Sequence, residues 1–343
     1  MAGVEFGMAS YAELGVWLDK AAGADDALGA AARTIMRMAK AAREVSRMVA
    51  RGPLNPGLEE LEIRQVFDYF DRRAGEIFQD ALKGAPVSLI AREKGGETEG
   101  AGGGPVALAL DAFNGSSNID ANTTTGTLFS FMPDAGEESF FQPGSAQVAA
   151  GFFTYGPRTA LIFTTGKGTQ IATMDPETGT FYITAENKRL PEDHAREYAV
   201  NASNYRYWDP AIRTFIDDMI DGADGPREQD YSMRWAASMA AETVRILNRG
   251  GIFLYPNDAR KGHMEGRLKR IFHANPIAFV IEQAGGMATD GRTRLLEQAA
   301  SRMEQRAPVI FGSAAEVERV ARYYDLPMGG LRSPLFSKRG LFR

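Results

Sequence analysis

Cysteine is missing altogether from this chain of 343 residues, which excludes a disulfide framework and thiolate catalysis. No apolar run approaches the ~20 residues of a membrane span, so no membrane association is expected. The first residues lack the basic-then-apolar pattern of a secretory signal, and a cytoplasmic location is the expectation. Positive charge is in short supply: the formal net charge is −5, which gives nucleic acid no general attraction. There is no internal repeat and no heptad array. The remainder is ordinary globular composition, 44% apolar and 24% charged, in a length that suits two domains sharing an interface or one large α/β unit.

Along the chain, residues 1–24 are weakly patterned and read as an arm. Asp25 or Asp26 can cap a helix whose stripe runs Leu28, Ala31, Ile35, Met38, Ala42, Val45 and Val49, at the three- and four-residue steps of one helical face. Gly52-Pro53 ends it. A second, highly charged helical pattern spans Leu58 to Leu82, and Val87 to Ala91 reads as a short strand. The glycine-rich stretch from Glu97 to Gly104 reads as a loop. Strand-like segments follow at Val106 to Leu110, Gly126 to Phe131, Gln147 to Tyr155, Thr159 to Thr164 and Thr180 to Thr184. Past residue 200 the pattern alternates: helices over Asp209 to Ile220 and Glu228 to Leu247, the strand Ile252 to Tyr255, a helix over Pro276 to Ala284, and the strand Val309 to Phe311. Ser313, with Glu316 three residues on, predicts a capping box opening a final helix. The expected division is an arm (1–24), an α+β unit (25–200) and an α/β unit (201–343).

The most informative stretch is Asp111-Ala112-Phe113-Asn114-Gly115-Ser116-Ser117-Asn118-Ile119-Asp120. The run Val106 to Leu110 reads as a buried strand that delivers Asp111 to its rim. Gly115, Ser116 and Ser117 then form a small-residue turn able to converge N–H groups and hydroxyls on a phosphate. A carboxylate followed by an anion cradle suits metal-assisted phosphate chemistry. The same residues, taken by themselves, equally suit a plain strand-to-turn connection.

The wider wording separates the two. Asp111 to Thr127, Gly250-Gly251-Ile252-Phe253-Leu254-Tyr255-Pro256, Asn275-Pro276 through Thr289, and Gln305 through Ser313 resemble, in order, the blocks of the class I fructose-1,6-bisphosphatases. The resemblance covers roughly residues 50 to 325. It implies a layered α-β-α-β-α sugar-phosphatase fold, a homotetramer, and Mg²⁺-dependent hydrolysis of the 1-phosphate of fructose 1,6-bisphosphate. Inositol- and nucleotide-phosphatase relatives fit less well, because they lack the Gly-Gly-Ile-Phe-Leu-Tyr-Pro block.

The same resemblance shows where this chain departs. Asp111 keeps the first metal-binding aspartate, whereas Asn114 stands for the second and His273 for a late glutamate. An earlier Glu-Glu pair falls on Arg92 and Glu93, or one residue later on Glu93 and Lys94. Asp71 joins Asp111 and Glu93 as a candidate catalytic carboxylate. Asn114 is a weak Mg²⁺ ligand, imidazole a poor one, and a guanidinium none at all. Mg²⁺ binding is therefore expected to be weak, with Mn²⁺ or Zn²⁺ at His273 and Asp111 as the softer alternative. In an arbitrary protein His273 would be an ordinary packed histidine and Arg92 a solvated strand-end charge.

For the sugar phosphate, the resemblance carries over to Asn201, Arg234 (reaching from a neighbouring subunit), Tyr255, Arg267 in place of a lysine, and Met239. Asn204 and Trp235 replace tyrosines, each losing a phenolic donor. Taken cold, Arg234 equally reads as a snorkelling or salt-bridged residue of an apolar helix. Pro105-Val106 occupies the place of a Lys-Tyr pair that binds AMP in vertebrate members, so AMP control there is not expected. Two functions follow: a working fructose-1,6-bisphosphatase, or an inactive paralogue that senses sugar phosphate or partners an active subunit.

Overall fold

A computed structural model describes residues 11–94, 98–191 and 196–325. The helices are α1 (Leu14–Ala22), α2 (Asp26–Arg51), α3 (Ile63–Leu82), α4 (Pro210–Ile220), α5 (Met239–Arg249), α6 (Asn275–Gln283) and α7 (Ala314–Asp325). The strands up to residue 188 are β1 (Leu89–Arg92), β2 (Thr98–Gly100), β3 (Val106–Asn114), β4 (Thr125–Pro133), β5 (Ala149–Tyr155), β6 (Ala160–Thr164), β7 (Thr169–Met174) and β8 (Phe181–Lys188). After them come β9 (Glu197–Val200), β10 (Ser232–Met233), β11 (Ile252–Tyr255), β12 (Leu268–Lys269), β13 (Met287–Thr289), β14 (Arg306–Ala307) and β15 (Val309–Gly312).

They form five layers, in the mixed α/β order α-β-α-β-α. An eight-stranded sheet, β2-β1-β3-β4-β5-β6-β7-β8, carries α1, α2 and α3 on one face. Its other face meets α5 and α6, which also cover a five-stranded sheet, β10-β9-β11-β15-β13. Helices α4 and α7 close the far side of that second sheet. Strand alternation explains the sandwich. Phe129, Phe131 and Phe153 point toward the outer helices, while Leu128, Ala150 and Phe152 point toward the central ones. A sheet covered on both faces favours apolar or small residues at successive positions, which is why β4 and β5 show no polar face and bury even Thr127, Ser130 and Thr154. Each fully buried phenylalanine contributes about 1.5–3 kcal/mol. Gly126 of β4 permits a close approach between the sheet and α5: a Cβ there would lie 2.6 Å from the Phe153 carbonyl oxygen and 2.7 Å from Ala240 of α5.

Several local readings need correction. Part of the supposed arm is α1, tied down by buried Leu14 and Leu18 and by Trp17 edge-on to Phe163; residues 1–10 lie outside the described residues. The glycine-rich stretch read as a loop contributes β2, antiparallel to β1, while 95–97 lie outside the described residues. Strand β7, unmarked in the sequence reading, completes a meander between β6 and β8.

The expected helix over Glu228 to Leu247 exists only from Met239. Glu228 has φ +53, and the amides of Ser232 and Arg234 donate to the carbonyls of Arg196 and Tyr198. Pairing beside β9 wins there over helix, and Ser238 caps α5 by accepting from the Ala241 amide. The Ser313–Glu316 capping box does not form. Ser313 Oγ accepts from the Gly251 amide instead, and buried Glu316 pairs with Arg227 and Arg319. Asp25 does cap α2, accepting from Leu28 at 2.9 Å.

Candidate active site

The carboxylates gather where α3, the loop after β1, the end of β3 and the turn before α6 converge. Asp111 lies within β3, 3% exposed, and not at an open rim, because the strand runs on to Asn114. Between Asp111, opposite Leu128, and Asn114, opposite Gly126, the register slips. That bulge re-aims the strand end and brings Asn114 back on Asp111, its amide donating to Asp111 Oδ2 at 2.8 Å.

His273 reaches the same oxygen from a single π-helical turn, Arg270–Ala274, with Nε2 3.0 Å from Asp111 Oδ2. Its Nδ1 accepts the Lys269 amide at 3.0 Å. An accepting Nδ1 carries no proton, so Nε2 carries it and donates to Asp111. Burial works to raise the Asp111 pKa, but the donors His273 and Asn114 and the nearby Lys94 charge outweigh it and hold the carboxyl below its ordinary value.

The other acids are paired as well. Asp71 of α3 forms an ion pair with Lys94. Burial nevertheless lifts its pKa, Lys94 and Ser116 opposing and neighbouring Asp111 adding to the rise. One Asp71 oxygen, Oδ1, is buried without a hydrogen bond among the described residues. Glu93 accepts from Lys269 Nζ at 3.0 Å, and that ammonium also reaches Glu304 at 2.7 Å. Burial alone would lower the Lys269 pKa; its bonds to Glu304 and Glu93 raise it instead.

Asp71, Asp111, Asn114, Ser116 and His273 are thus brought together, and Glu93 follows β1 with its amide on the Leu110 carbonyl of β3. Lys94 and Lys269 supply the cations to Asp71 and Glu93; Arg92 ends β1 half-buried, in register with Leu110. Gly115 turns the chain in the left-handed region at φ +80, leading into the turn Ser116–Asn118, and Ser117 is exposed there. Among the described residues no group of three or more His, Asp or Glu side chains is placed to hold a metal ion. A dication here would have to displace Lys94 and strip Asp111 of two donors. The donor set does not fit a hard cation.

The second pocket lies at the end of β11 and the turn after β9. Asn201, Asn204, Tyr255, Asp258 and Arg267 share its wall. Trp235 stacks on Phe253 and on Tyr255, both at 5.8 Å, so the Trp235 ring serves as packing behind Tyr255. Arg267 stands 6.0 Å over the Tyr255 ring. Asn201 Oδ1 is taken by Ser203 at 2.6 Å. Met239 is buried at the start of α5. Arg234, just past the edge strand β10 and not on a helix, lines no part of this pocket; its side chain is 59% exposed and faces Glu197 at 3.8 Å.

Residue-type reasoning missed Asp258 and Arg260 at this pocket and Lys269 at the other. Their only sequence signal is their nearness to Tyr255 and Arg267.

Comparison with known proteins agrees with this layout. Residues 18–186 match the family model "Fructose-1-6-bisphosphatase, N-terminal domain" and residues 190–325 the corresponding C-terminal domain. The chain belongs to the fructose-1,6-bisphosphatase family. A class 1 fructose-1,6-bisphosphatase of Rhizobium meliloti (strain 1021) is 45% identical over 339 residues, 93% of this chain and 95% of the relative. One of Paracoccus denitrificans (strain Pd 1222) is 50% identical over 273 residues, 79% and 82% of the two chains. The holo form of Leishmania major fructose-1,6-bisphosphatase superposes with a TM-score of 0.84 at 28% identity, covering 92% of this chain and all of that one. This fructose-1,6-bisphosphatase family member places its signature turn at the large sheet and the Tyr255 pocket at the small one. Among the described residues no helix is long and apolar enough to cross a membrane.

Proposed function

We propose that this chain binds fructose 1,6-bisphosphate or fructose 6-phosphate without needing a metal, and that its Mg²⁺-dependent hydrolysis of the 1-phosphate is strongly reduced. The observation that carries this is the internal pairing of Asp111 with His273 and Asn114, Asp71 with Lys94, and Glu93 with Lys269. Hydrolysis without a covalent intermediate needs a water nucleophile and neutralised phosphoryl oxygens, which metal ions held by carboxylates supply in such sites. Here the chain's own cations hold those carboxylates. Lys94, beside Ser116 and Asp71, offers an ammonium to a bound phosphate, and a point charge of this kind is a competent phosphate partner. The sugar's other phosphate belongs with Asn201, Tyr255 and Arg267.

The second reading, an ordinary working phosphatase, is favoured by the names of relatives up to 50% identical. Phosphate release from fructose 1,6-bisphosphate at saturating Mg²⁺, repeated with Mn²⁺ and Zn²⁺, decides between them. Turnover at about 1–10³ per second overturns the proposal. A chain that senses sugar phosphate or partners an active subunit gives slow or no release but binds fructose 6-phosphate by calorimetry in the absence of metal. We also propose a homotetramer, because Arg234 is exposed and completes a phosphate pocket only across an interface; a monomer by light scattering at micromolar concentration removes Arg234 from the site.

A further inference from the structure

The pocket walled by Asn201, Asn204, Tyr255, Asp258 and Arg267 encloses about 10 Å³. That is room for one water at most, far short of a phosphoryl group. Something in the wall must move before a phosphate enters. Tyr255 is fixed in its aromatic stack and Asn201 is tied to Ser203. Asn204 and Asp258 are held from behind that wall by Arg260, and this is the piece able to move.

Its guanidinium is 30% exposed and lies 4.5 Å over the Tyr207 ring. Nε donates to Asp258 Oδ1 at 2.9 Å, and Nη2 reaches both Asp258 Oδ2 and, at 2.9 Å, Asn204 Oδ1. Among the described residues Nη1 makes no hydrogen bond. Asp258 is buried on the pocket wall, where a bare carboxylate would repel phosphate; the Arg260 pair neutralises it and leaves Arg267 as surplus charge. A fork held on one edge by a carboxylate, with Nη1 of its other edge free and Nη2 on an exchangeable amide oxygen, is preorganised for a second oxyanion.

We infer that Arg260 is a phosphate-binding residue of this pocket, bonded to Asn204 when the pocket is closed and exchanging that bond for a phosphoryl oxygen when sugar phosphate enters. The exchange gives this chain a cationic donor where Asn204 and Trp235 have lost phenolic ones. The inference rests on the proposed binding of sugar phosphate, and asks which residue does it.

Calorimetry on the full chain without metal, titrating fructose 6-phosphate and then inorganic phosphate, tests it. Arg260→Ala should weaken fructose 6-phosphate about ten- to a hundredfold, the effect of one charge-assisted bond. Arg260→Lys, which keeps charge without the fork, should fall between. Asn204→Ala should weaken affinity less than Arg260→Ala does, since it removes the closing bond and leaves the cation in place. If Arg260→Ala binds as wild type does, the inference is overturned by itself. It is also overturned if Asn204→Ala weakens binding as much as Arg260→Ala and the double variant is no worse, for then Arg260 merely positions Asn204. Wild type that binds neither probe at millimolar concentration overturns the binding proposal as well.

Discussion

The two ends of this site handle charge in opposite ways. At the β3 end, acids that suit metal ions are each matched to a donor or cation of the same chain, and Asp111 alone engages two. At the β11 end, Arg267 makes no ion pair among the described residues and Arg260 keeps one edge free. Each acid of the first end has a partner within the chain, with Asp71 Oδ1 left over; the second end is left open to an anion. The difference teaches that the proposed weakening of the metal site need not leave uncompensated buried charge, which would cost several kcal/mol. Substitution by His, Asn and Lys can neutralise one end while leaving the other's ligand chemistry in place.

The largest expected effect breaks the comparison at its internally paired end. Wild-type hydrolysis with Mg²⁺ should lie several orders of magnitude below that of an intact relative, because misplacing the nucleophilic water removes stabilisation felt only in the transition state. Restoring one carboxylate should do little, since such groups act as a unit. Asn114→Asp, His273→Glu and Arg92→Glu together should recover measurable phosphate release. If the triple variant stays silent, adding Lys94→Ala tests whether the Asp71 pair blocks the site, with restored release as the expected outcome.

At the other end, Arg267→Ala should weaken fructose 6-phosphate binding by about 1.5–3 kcal/mol in calorimetry. An unchanged affinity would mean that this end is no more available to anions than the first.

A third measurement probes the closing pair itself. Asp258 is held at a pKa of about 2, chiefly by the Arg260 side chain, with His263 Nδ1 also facing it at 3.4 Å. This lies below the unfolded value of about 3.9, so the pair's stability is fully present above about pH 4. It is lost as pH falls from there through about 2. Chemical denaturation at pH 6 and at pH 2.5 should show up to about 2 kcal/mol of acid sensitivity that Asp258→Asn lacks. Equal acid sensitivity in the variant would assign the loss to other carboxylates. The smallest effect is a control remote from both ends. Asp25→Ala removes the α2 cap and should cost about 1 kcal/mol in urea unfolding, with fructose 6-phosphate affinity unaltered.

Much of this is legible before any coordinates. Runs such as Leu128 to Phe131 announce a sheet covered on both faces, and Asp25 and Gly52 mark the ends of α2 through local chemistry. What stays hidden depends on partners distant in sequence. Arg234 looks helical because Ala236 to Leu247 are helix formers, yet the carbonyl of Tyr198 captures its amide beside β9, just past the end of β10. Glu316 has the spacing of a capping box, but Arg227 claims it across 89 positions. The substitutions at Asn114 and His273 can be found by position alone; that both donate to one oxygen of Asp111 cannot, because the bulge and the π-helical turn that aim them have no signature. Lys94 entered only as an alternative register, and Lys269 not at all, since a lysine's reach along its flexible stem has no pattern in sequence.

The pairing around Asp111 also bears on how the chain matures. In a site built from bare carboxylates, mutual repulsion opposes folding until dications arrive, so the folded population follows the metal supply. Here His273, Asn114, Lys94 and Lys269 are delivered by the same polypeptide, at an effective concentration no solute matches. On the proposed reading the charge balance of the β3 end is reached on folding, and chelation or magnesium starvation should leave its stability unchanged.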